Sequence, residues 1–319
     1  MVYLFYLGVS ILLMLFYFSL ARNFNIVDQP NHRSSHSRPV ILGAGVLFPS
    51  LLLIHFILTD FAFPFFISGL IIVSIISFYD DLKPLSNKLR LFCHLCGVSL
   101  MFYEAETLSF SPLIIIAVYV LAIGTINAYN FMDGINGLTV SYSLVTTTSL
   151  YYINEKLVSF INSEWLLVCM IALSVTSFFN FRRDAKCFVG DIGSVSMAYI
   201  IIFFIILLIV KTQDLKYIAL LLVYGLDSVT TIIFRIIRNE NIFEAHRSHF
   251  YQYLSNILQW PHLAVSMLYA VVQMTINSFI LGSSFSSITF IILVVVSGIM
   301  AVAIRLFVEG KAHLLKKHL

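Results

Sequence analysis

Long apolar runs alternate with short polar segments along the whole chain. Because the hydrocarbon core of a bilayer is spanned by about 20 helical residues, we expect about eleven of these runs to be transmembrane helices. Their predicted bounds are 2–21, 41–59, 63–79, 89–103, 112–128, 136–153, 164–181, 192–210, 217–234, 263–281 and 287–304. The pattern predicts an all-α, polytopic membrane protein with a single integral-membrane domain over residues 1–319.

Composition agrees with this prediction. The chain is 60% hydrophobic and 11% charged, with a mean hydropathy of +0.95, whereas soluble domains are about 45–50% apolar and about 25% charged. The first run, residues 2–20, is longer than the apolar part of a signal peptide, and neither a preceding basic residue nor a clear cleavage site accompanies it. We therefore expect it to be a retained first helix.

The distribution of basic residues predicts an orientation. If alternate loops face the cytoplasm, these loops are about 22–40, 80–90, 129–135, 182–191 and 235–262, followed by the C-terminal tail. Of the 19 Lys and Arg residues, only Lys156, Lys211 and Lys216 then fall on the opposite side. Since cytoplasmic loops carry an excess of Lys and Arg, we expect a periplasmic N-terminus and a cytoplasmic C-terminus.

Five aspartates lie on the same predicted side, close to the ends of spans: Asp80, Asp81, Asp133, Asp184 and Asp191. Carboxylates that served only as solvated loop residues would be expected on both sides of the membrane. We therefore hypothesise a functional site where the cytoplasmic face of the bundle meets water.

The first candidate motif is the pair Asp80 and Asp81 in "FYDDLKPLSNKLR". Adjacent carboxylates repel each other, so one of them readily holds a proton or a cation, which suits acid–base or metal chemistry. The alternative is a solvated helix end with basic anchors, since charges are common at membrane edges. The motif alone leaves these two interpretations equally open.

A second motif, "INAYNFMDGINGLTV", repeats polar side chains every three residues: Asn127, Asn130, Asp133 and Asn136. Its glycines, Gly134 and Gly137, allow the backbone to approach a ligand closely. Oxygen ligands and close backbone approach suit a nucleotide and a hard cation such as Mg²⁺. An ordinary capped turn between helices is the alternative, and it would suffice for one "NG" pair.

In "FVGDIGS", Asp191 lies where the eighth predicted span begins. The free amides of a helix N-terminus can receive a phosphate, and Asp191 could hold Mg²⁺ beside it. The alternative is that Asp191 is only an N-cap.

The loop segment "FEAHRSHFYQYL" adds His246, Arg247 and His249, which suit metal or phosphate binding. Solvated loop histidines are the alternative, and zinc is disfavoured because no HExxH motif or cysteine cluster accompanies them. The pair Cys93 and Cys96 lies in an apolar stretch, where packing is the favoured interpretation.

Taken in order, the four motifs resemble those of the polyprenyl-phosphate N-acetylhexosamine-1-phosphate transferase family, the MraY/WecA superfamily. They are "DD" at 80–81, "NxxDGxNG" at 130–137, "FVGDxGS" at 188–194 and "HRSH" at 246–249. The resemblance covers nearly the whole chain, including the early "DQPNHRSSHSRP" loop. The "HRSHFYQ" form is most similar to the WbpL-like branch.

The resemblance implies transfer of a sugar 1-phosphate from a UDP-N-acetylhexosamine to undecaprenyl phosphate, with release of UMP. This is the first membrane step in the synthesis of O-antigen, lipopolysaccharide or another cell-envelope glycan. It also implies a multi-pass protein of the bacterial inner membrane, with the active site facing the cytoplasm. A homodimer is compatible with the family, although no dimer motif is visible, and nothing indicates nucleic-acid binding.

The same resemblance implies roles for individual residues. Asp191 and Asn130 would ligate Mg²⁺, for which Mn²⁺ could substitute, and Asp80 would be the candidate base with Asp81 beside it. Residues matched to nucleotide or substrate binding are Asn127, Asp133, Asn136, Phe188, Lys88, Arg90, His246, Arg247 and His249. Lys88 and Arg90 compete for one position in this match. Both direct attack by the lipid phosphate and a covalent aspartyl-phosphate route are compatible with the motifs.

The chain departs from the family pattern in "PVILGAG" at 39–45, where Leu42 replaces a usual arginine and Ala44 replaces a glycine. Asp227, inside the ninth span, is open to either a functional or a structural interpretation. A polytopic transporter is the alternative function, because Asp227 and helix-breaking glycines are compatible with one. Transport sites, however, usually lie near the middle of the membrane.

Overall fold

The structure is a bundle of membrane-length helices. This computed structural model describes residues 2–29, 39–242, 244, 246–282 and 287–315. Its helices are α1 (Val2–Asn23), α2 (Leu47–Leu58), α3 (Pro64–Leu82), α4 (Asn87–Glu104), α5 (Pro112–Met132), α6 (Leu138–Lys156), α7 (Ser163–Asn180), α8 (Gly190–Thr212), α9 (Leu222–Ile237), α10 (Phe250–Gln252), α11 (His262–Leu281), α12 (Ser287–Val308) and α13 (Lys311–Leu315). Two short strands, β1 (Val27–Asp28) and β2 (Val40–Ile41), form one antiparallel pair.

Each predicted span corresponds to one helical segment. Within the described part of the chain, 8 helices are long and apolar enough to cross a membrane: α1, α3, α5, α7, α8, α9 with the 3₁₀ turn before it (Leu215–Leu221), α11 and α12. The remaining three segments are α2, which has only 12 residues, and α4 and α6, which carry more polar side chains. The all-α polytopic fold is confirmed, while the number of spans and their orientation stay predictions.

Helix α8 forms the centre of the bundle. It is apolar on all sides, as expected for a fully enclosed helix, and nearly all of its residues are buried. Phe203 stacks on Phe66 of α3 with ring centroids 3.9 Å apart, and the Tyr199 hydroxyl donates to the Gly97 carbonyl of α4 at 2.9 Å. Close packing through small residues is typical of membrane helices. The middle of α8 is therefore packed tightly against α3 and α4.

Helices extend further into the predicted loops than the sequence suggested. In place of loops 80–90 and 129–135, α3 continues to Leu82 and α5 to Met132, so Asp80, Asp81 and Asn130 lie in last helical turns. Apolar neighbours explain the extension of α5, because Tyr129 and Met132 are fully buried. In place of loop 182–191, α8 begins at Gly190 and includes Asp191.

The predicted loop 235–262 also contains regular structure. It includes α10 and a π-helical turn, Tyr253–Ile257. Two further predictions concern residues outside the described part of the chain: Arg33 and Arg38 of the loop 22–40, together with most of the early loop motif, and Lys316 and Lys317 of the tail.

The β1–β2 pair fixes the segment that departs from the family pattern. The Phe188 amide donates to the Ile41 carbonyl at 2.7 Å, and the Ala44 amide donates to the Phe188 carbonyl at 3.0 Å. A Cβ atom added at Gly45 would collide with Gly193, so the backbones of residues 39–45 and of the start of α8 are in direct contact. Leu42 is half-buried and its carbonyl accepts a hydrogen bond from Tyr17.

Candidate active site

Asp81 caps the start of α8 from the end of α3. The first amides of a helix have no partner within the helix, and here the amides of Asp191 and Ile192 donate to the two Asp81 carboxylate oxygens at 2.8 and 3.1 Å. Gly190 has a φ of 72°, and a Cβ atom there would lie 2.6 Å from Asp81 Oδ2. Because Asp81 occupies these amides, they are not the free phosphate-binding amides that the sequence suggested.

Asp80 and Asp191 share one guanidinium group. Arg90 Nη1 lies 2.5 Å from Asp80 Oδ2 and 3.7 Å from Asp191 Oδ2. Asp80 also accepts a hydrogen bond from the Leu85 amide at 2.6 Å, which closes the turn between α3 and α4. The guanidinium offsets the repulsion between two carboxylates that the fold places side by side.

Asn130 completes this group from the end of α5. Its side-chain amide donates to Asp191 Oδ2 at 3.3 Å, and its carbonyl oxygen accepts a hydrogen bond from the Ser194 hydroxyl at 3.2 Å. Asp80, Asp81, Asn130, Asp191 and Arg90 therefore form one carboxylate cluster at one end of the bundle, contributed by α3, α4, α5 and α8.

Asp133 follows directly after α5 and is half-buried. Burial raises the pKa of its carboxyl well above the usual range, and the negative charges of Asp191 and Asp81 act in the same direction, while the Thr139 hydroxyl opposes them. A carboxyl with a raised pKa is suited to proton transfer closer to neutral pH. Asp133 therefore interacts with the carboxylate cluster through the charges of Asp191 and Asp81.

Asn136 and Asn180 join the turn after α5 to the loop before α8. The Asn136 side chain donates to the carbonyls of Arg182 and Arg183 at 3.0 and 3.2 Å. Asn180 accepts from the Gly137 amide at 2.8 Å and donates to the Cys187 carbonyl at 2.9 Å. The two loops therefore form one rigid wall, and the side-chain N–H groups of Asn136 are already used within it.

The segment 246–249, here called the histidine loop, packs against the end of α5. The rings of His246 and His249 lie 5.0 Å apart, and both rings contact Phe131, at 5.7 and 6.0 Å. His249 Nδ1 lies 3.2 Å from the carboxylate of Asp227 in α9. Burial lowers the pKa of His246 to about 3, with a smaller contribution from His249. Phe131 thus connects the histidines to the helix that carries Asn130.

The other predicted site residues differ in exposure. Asn127, Lys88 and Arg247 are exposed, and Phe188 is half-buried beside β2. Asn127 lies three residues before Asn130 and so on the same face of α5. Of the two competing basic residues, Arg90 contacts the carboxylate cluster, whereas Lys88 lies in the first turn of α4 facing solvent.

Among the described residues, no group of three or more His, Cys, Asp or Glu side chains is arranged to hold a metal ion. Mg²⁺, however, usually binds through one or two carboxylates and takes its other ligands from water and substrate phosphates. Asp191 and Asn130 would each supply one side-chain oxygen to such a partial ligand set. In this structure the Asn130 N–H group faces Asp191, and its oxygen accepts from the Ser194 hydroxyl.

Sequence reasoning missed the residues that hold the histidine loop. Arg235, Arg238 and Arg305 were counted only among the basic residues of a predicted cytoplasmic loop and the C-terminal tail, but all three are buried. Arg235 and Arg238 bind Glu240 at 3.1 and 2.6 Å. The sequence did contain one signal for a buried ion pair: Arg305 and Glu309 are one helical turn apart at the end of an apolar helix.

These features define a helical membrane protein in which carboxylates, amides and basic groups form a site at one end of the bundle. Residues 63–209 match the model of a family described as Glycosyl transferase family 4. That segment includes every member of the carboxylate cluster.

The chain is also similar to three curated proteins. It is 28% identical over 265 residues to an undecaprenyl-phosphate alpha-N-acetylglucosaminyl 1-phosphate transferase from Thermotoga maritima, an alignment that covers 77% of this chain and 78% of the relative. A Bacillus subtilis protein named "Probable undecaprenyl-phosphate N-acetylglucosaminyl 1-phosphate transferase" is 24% identical over 290 residues, covering 79% and 76%. A Methanocaldococcus jannaschii protein that carries the name of a glycosyltransferase is 25% identical over 196 residues, and the chain spans only 60% of its length.

These matches support the resemblance to the MraY/WecA superfamily that the motifs indicated. Its placement in the WbpL-like branch stays a prediction.

Proposed function

We propose that this protein transfers an N-acetylhexosamine 1-phosphate from a UDP-sugar to undecaprenyl phosphate. The observation that carries the proposal is the carboxylate cluster, in which side chains separated by up to 111 positions meet at one end of the bundle. The names of the bacterial relatives support the same acceptor and the same kind of reaction.

In this reaction an oxygen of the lipid phosphate attacks the phosphorus that carries the sugar. A new P–O–P bond forms, the bond to the bridging oxygen of the UDP breaks, and UMP leaves with that oxygen. Since the reactants are all anions, fixed positive charge is needed to offset their repulsion. Arg90 lies at the cluster, and Arg247 and Lys88 are exposed and able to reach a ligand.

Mg²⁺, for which Mn²⁺ could substitute, would be held by Asp191 and Asn130 and would supply further positive charge at the phosphates. Asp80 is the proposed base that takes the proton of the lipid phosphate. Because Asp80 is paired with Arg90, Arg90 has to turn toward the substrate phosphates before Asp80 can act. Asp81 maintains the site by capping α8.

The two substrates differ in solubility, and the site is compatible with both. We propose that Asn127, Asn136 and Phe188 contact the nucleotide, and that Asp133, His246 and His249 line the diphosphate side. Exposed apolar side chains of α5, such as Leu113, Ile116 and Val120, suit the acceptor's hydrocarbon tail. The predicted location is the bacterial inner membrane with the site facing the cytoplasm, in a pathway for O-antigen or another cell-envelope glycan.

The test is to offer radiolabelled UDP-N-acetylhexosamines and undecaprenyl phosphate to membranes that contain the protein. We expect an organic-soluble product that requires Mg²⁺ or Mn²⁺. The variant Asp191→Asn should lose about 10³-fold or more of the activity. The control Asp184→Asn changes an exposed aspartate in the loop between α7 and α8 and should keep it.

Uptake of label into vesicles without a lipid product would support the transporter instead and overturn the proposal. Loss of product in both variants would also count against a specific role of Asp191. Because the sugar is not specified by the motifs, the donors should be a panel that includes 6-deoxy sugars.

A further inference from the structure

Asp227 is a buried carboxylate inside the membrane-spanning helix α9 with an unusual number of donors around it. Its oxygens accept hydrogen bonds from the Phe250 amide at 2.9 Å, the Tyr251 amide at 3.3 Å and the Tyr269 hydroxyl at 2.6 Å. The Thr231 hydroxyl donates as well, at 3.2 Å. Since each of these groups is a donor, Asp227 acts as an acceptor only, which is the behaviour of an ionised carboxylate.

A buried charge is costly unless a charge of opposite sign accompanies it. Arg305 of α12 lies 4.0 Å from Asp227 Oδ1. The same guanidinium donates to the Thr231 hydroxyl at 2.7 Å and to the Ser248 carbonyl at 2.7 Å. The carboxylate, the guanidinium and the backbone just before His249 therefore form one connected unit.

The contact with His249 assigns the two ring nitrogens. Because Asp227 is an acceptor, Nδ1 must carry the hydrogen and donate to Oδ1, 3.2 Å away. The other nitrogen, Nε2, is buried and has no hydrogen-bond partner within the described part of the chain. A buried ring nitrogen without a partner is costly in a purely structural residue. The ring lies beside Phe131 and His246, at the edge of the proposed substrate site.

A capping role alone does not account for this arrangement. The amides of Phe250 and Tyr251 already explain why a carboxylate at position 227 stabilises the start of α10. The capping box between His249 and Gln252 gives His249 a structural role at the start of α10. That role does not require the ring of His249 to contact the same carboxylate as well. A carboxylate that binds one ring nitrogen of a histidine sets which nitrogen is left to face a ligand.

We propose that Asp227 is a positioning residue that acts through His249, holding the imidazole with Nδ1 protonated so that Nε2 is the nitrogen left for the phosphate groups of the donor. This inference rests on the proposed transferase function, and it adds a residue outside the segment matched to the family model, 63–209. Arg305 supports the same unit from the last long helix.

A double-mutant cycle tests the proposal. The variants are Asp227→Asn, His249→Ala and the combination of both, purified in detergent, and kcat and KM for the UDP-sugar are measured for each. Loss of a group that orients a functional histidine typically costs about 10- to 100-fold, so we expect Asp227→Asn to lower kcat by about that factor. In the His249→Ala background, the same change should lower kcat by less than about twofold, because the group through which Asp227 acts is gone.

Tyr269→Phe is the matched control, because it removes one hydrogen bond to Asp227 Oδ2 and leaves the contact between Oδ1 and His249 in place. It should lower thermal stability but keep kcat within about threefold. If Asp227→Asn does not give a folded, monodisperse protein, Asp227→Glu takes its place in the cycle, since it keeps the charge and shifts its position.

Three results separate the possibilities. A kcat unchanged by Asp227→Asn, or an equal loss of kcat in the presence and absence of His249, overturns the positioning role. A loss of kcat in Tyr269→Phe equal to that in Asp227→Asn also overturns it, because the effect then follows general destabilisation. A folded wild type that makes no lipid-linked product contradicts the proposed function, independently of the cycle.

Discussion

The carboxylate cluster and the histidine loop are held in place by different means. In the cluster, the side chains of Arg90 and Asp191 are 31% and 33% exposed, while that of Asp80, the nearer partner of Arg90, is 8% exposed. Around the histidine loop, the side chains of Asp227 in α9, His249 and Arg305 in α12 are each 3% exposed. The contact between Arg90 and Asp191 can therefore be exchanged for contacts with a ligand, whereas the charged contacts around the histidine loop are enclosed by protein.

The physical reason lies in the cost of burying charge. A partly exposed ion pair contributes about 0–1 kcal/mol, because water screens it and solvates either partner alone. Removing one partner of a buried pair costs about 3–5 kcal/mol, because the other charge is left without compensation. Substitutions in the cluster should therefore lower activity more than stability, whereas substitutions of the buried charges around the histidine loop should lower stability in addition to any effect on activity.

The largest expected effect on stability is that of Arg305→Ala. It removes the buried partner of Asp227 and Glu309 and two hydrogen bonds to Thr231 and Ser248. The free energy of unfolding should fall by about 3–5 kcal/mol, measured by denaturant unfolding in detergent. Lys311→Ala, an exposed change in the neighbouring α13, should alter it by less than about 0.5 kcal/mol. Equal effects would mean that the loop is not held by the buried charges.

Arg90→Gln should show the opposite profile. The change leaves Asp80 without its partner at the proposed phosphate site, and we expect kcat/KM to fall by about 10²-fold. The free energy of unfolding should change by about 1 kcal/mol or less. Lys88→Gln, two residues earlier and exposed, should cost only a few-fold in kcat/KM. A larger loss for Lys88 would make Lys88 the phosphate-contacting residue of the pair.

Gly190→Ala tests the contact between Asp81 and α8. The residue has a φ of 72°, and its new methyl group would press on the Asp81 carboxylate. We expect a loss of about 1–3 kcal/mol of stability. The comparison is Gly124→Ala in α5, where a Cβ atom meets nothing within 4 Å and the substitution favours the helix by about 1 kcal/mol. A stable Gly190→Ala variant would argue against a tight cap.

The smallest expected effect concerns pH. Burial raises the pKa of Asp133 above its unfolded value of 3.8. Between these two pKa values the folded protein holds a proton that the unfolded chain has released, so stability decreases as pH rises through this window. Asp133→Asn should therefore reduce the dependence of Tm on pH above about 4. An unchanged slope would indicate that other groups dominate.

The sequence by itself determined the membrane fold and predicted the residues of the site. Each of the eleven apolar runs corresponds to one helical segment, because in lipid each backbone polar group must be satisfied within its own helix. Ordered motifs on one predicted side, from Asp80 to His249, indicated the superfamily. Local polarity also predicted that helices such as α5 end too early in the chain. It contains no information on the burial of Tyr129 and Met132 by neighbouring helices.

Only the tertiary structure decided which partner each side chain has. Asp81 turned out to cap α8 instead of leaving its amides free, Arg90 rather than Lys88 contacts the carboxylates, and Asp227 binds His249 across 22 residues. Arg305, which the sequence placed among the basic residues of the C-terminal tail, is a buried ion-pair partner. Such pairings depend on the packing of helices that are distant in the chain. No short stretch of sequence contains the information to choose between a solvated charge and a buried one.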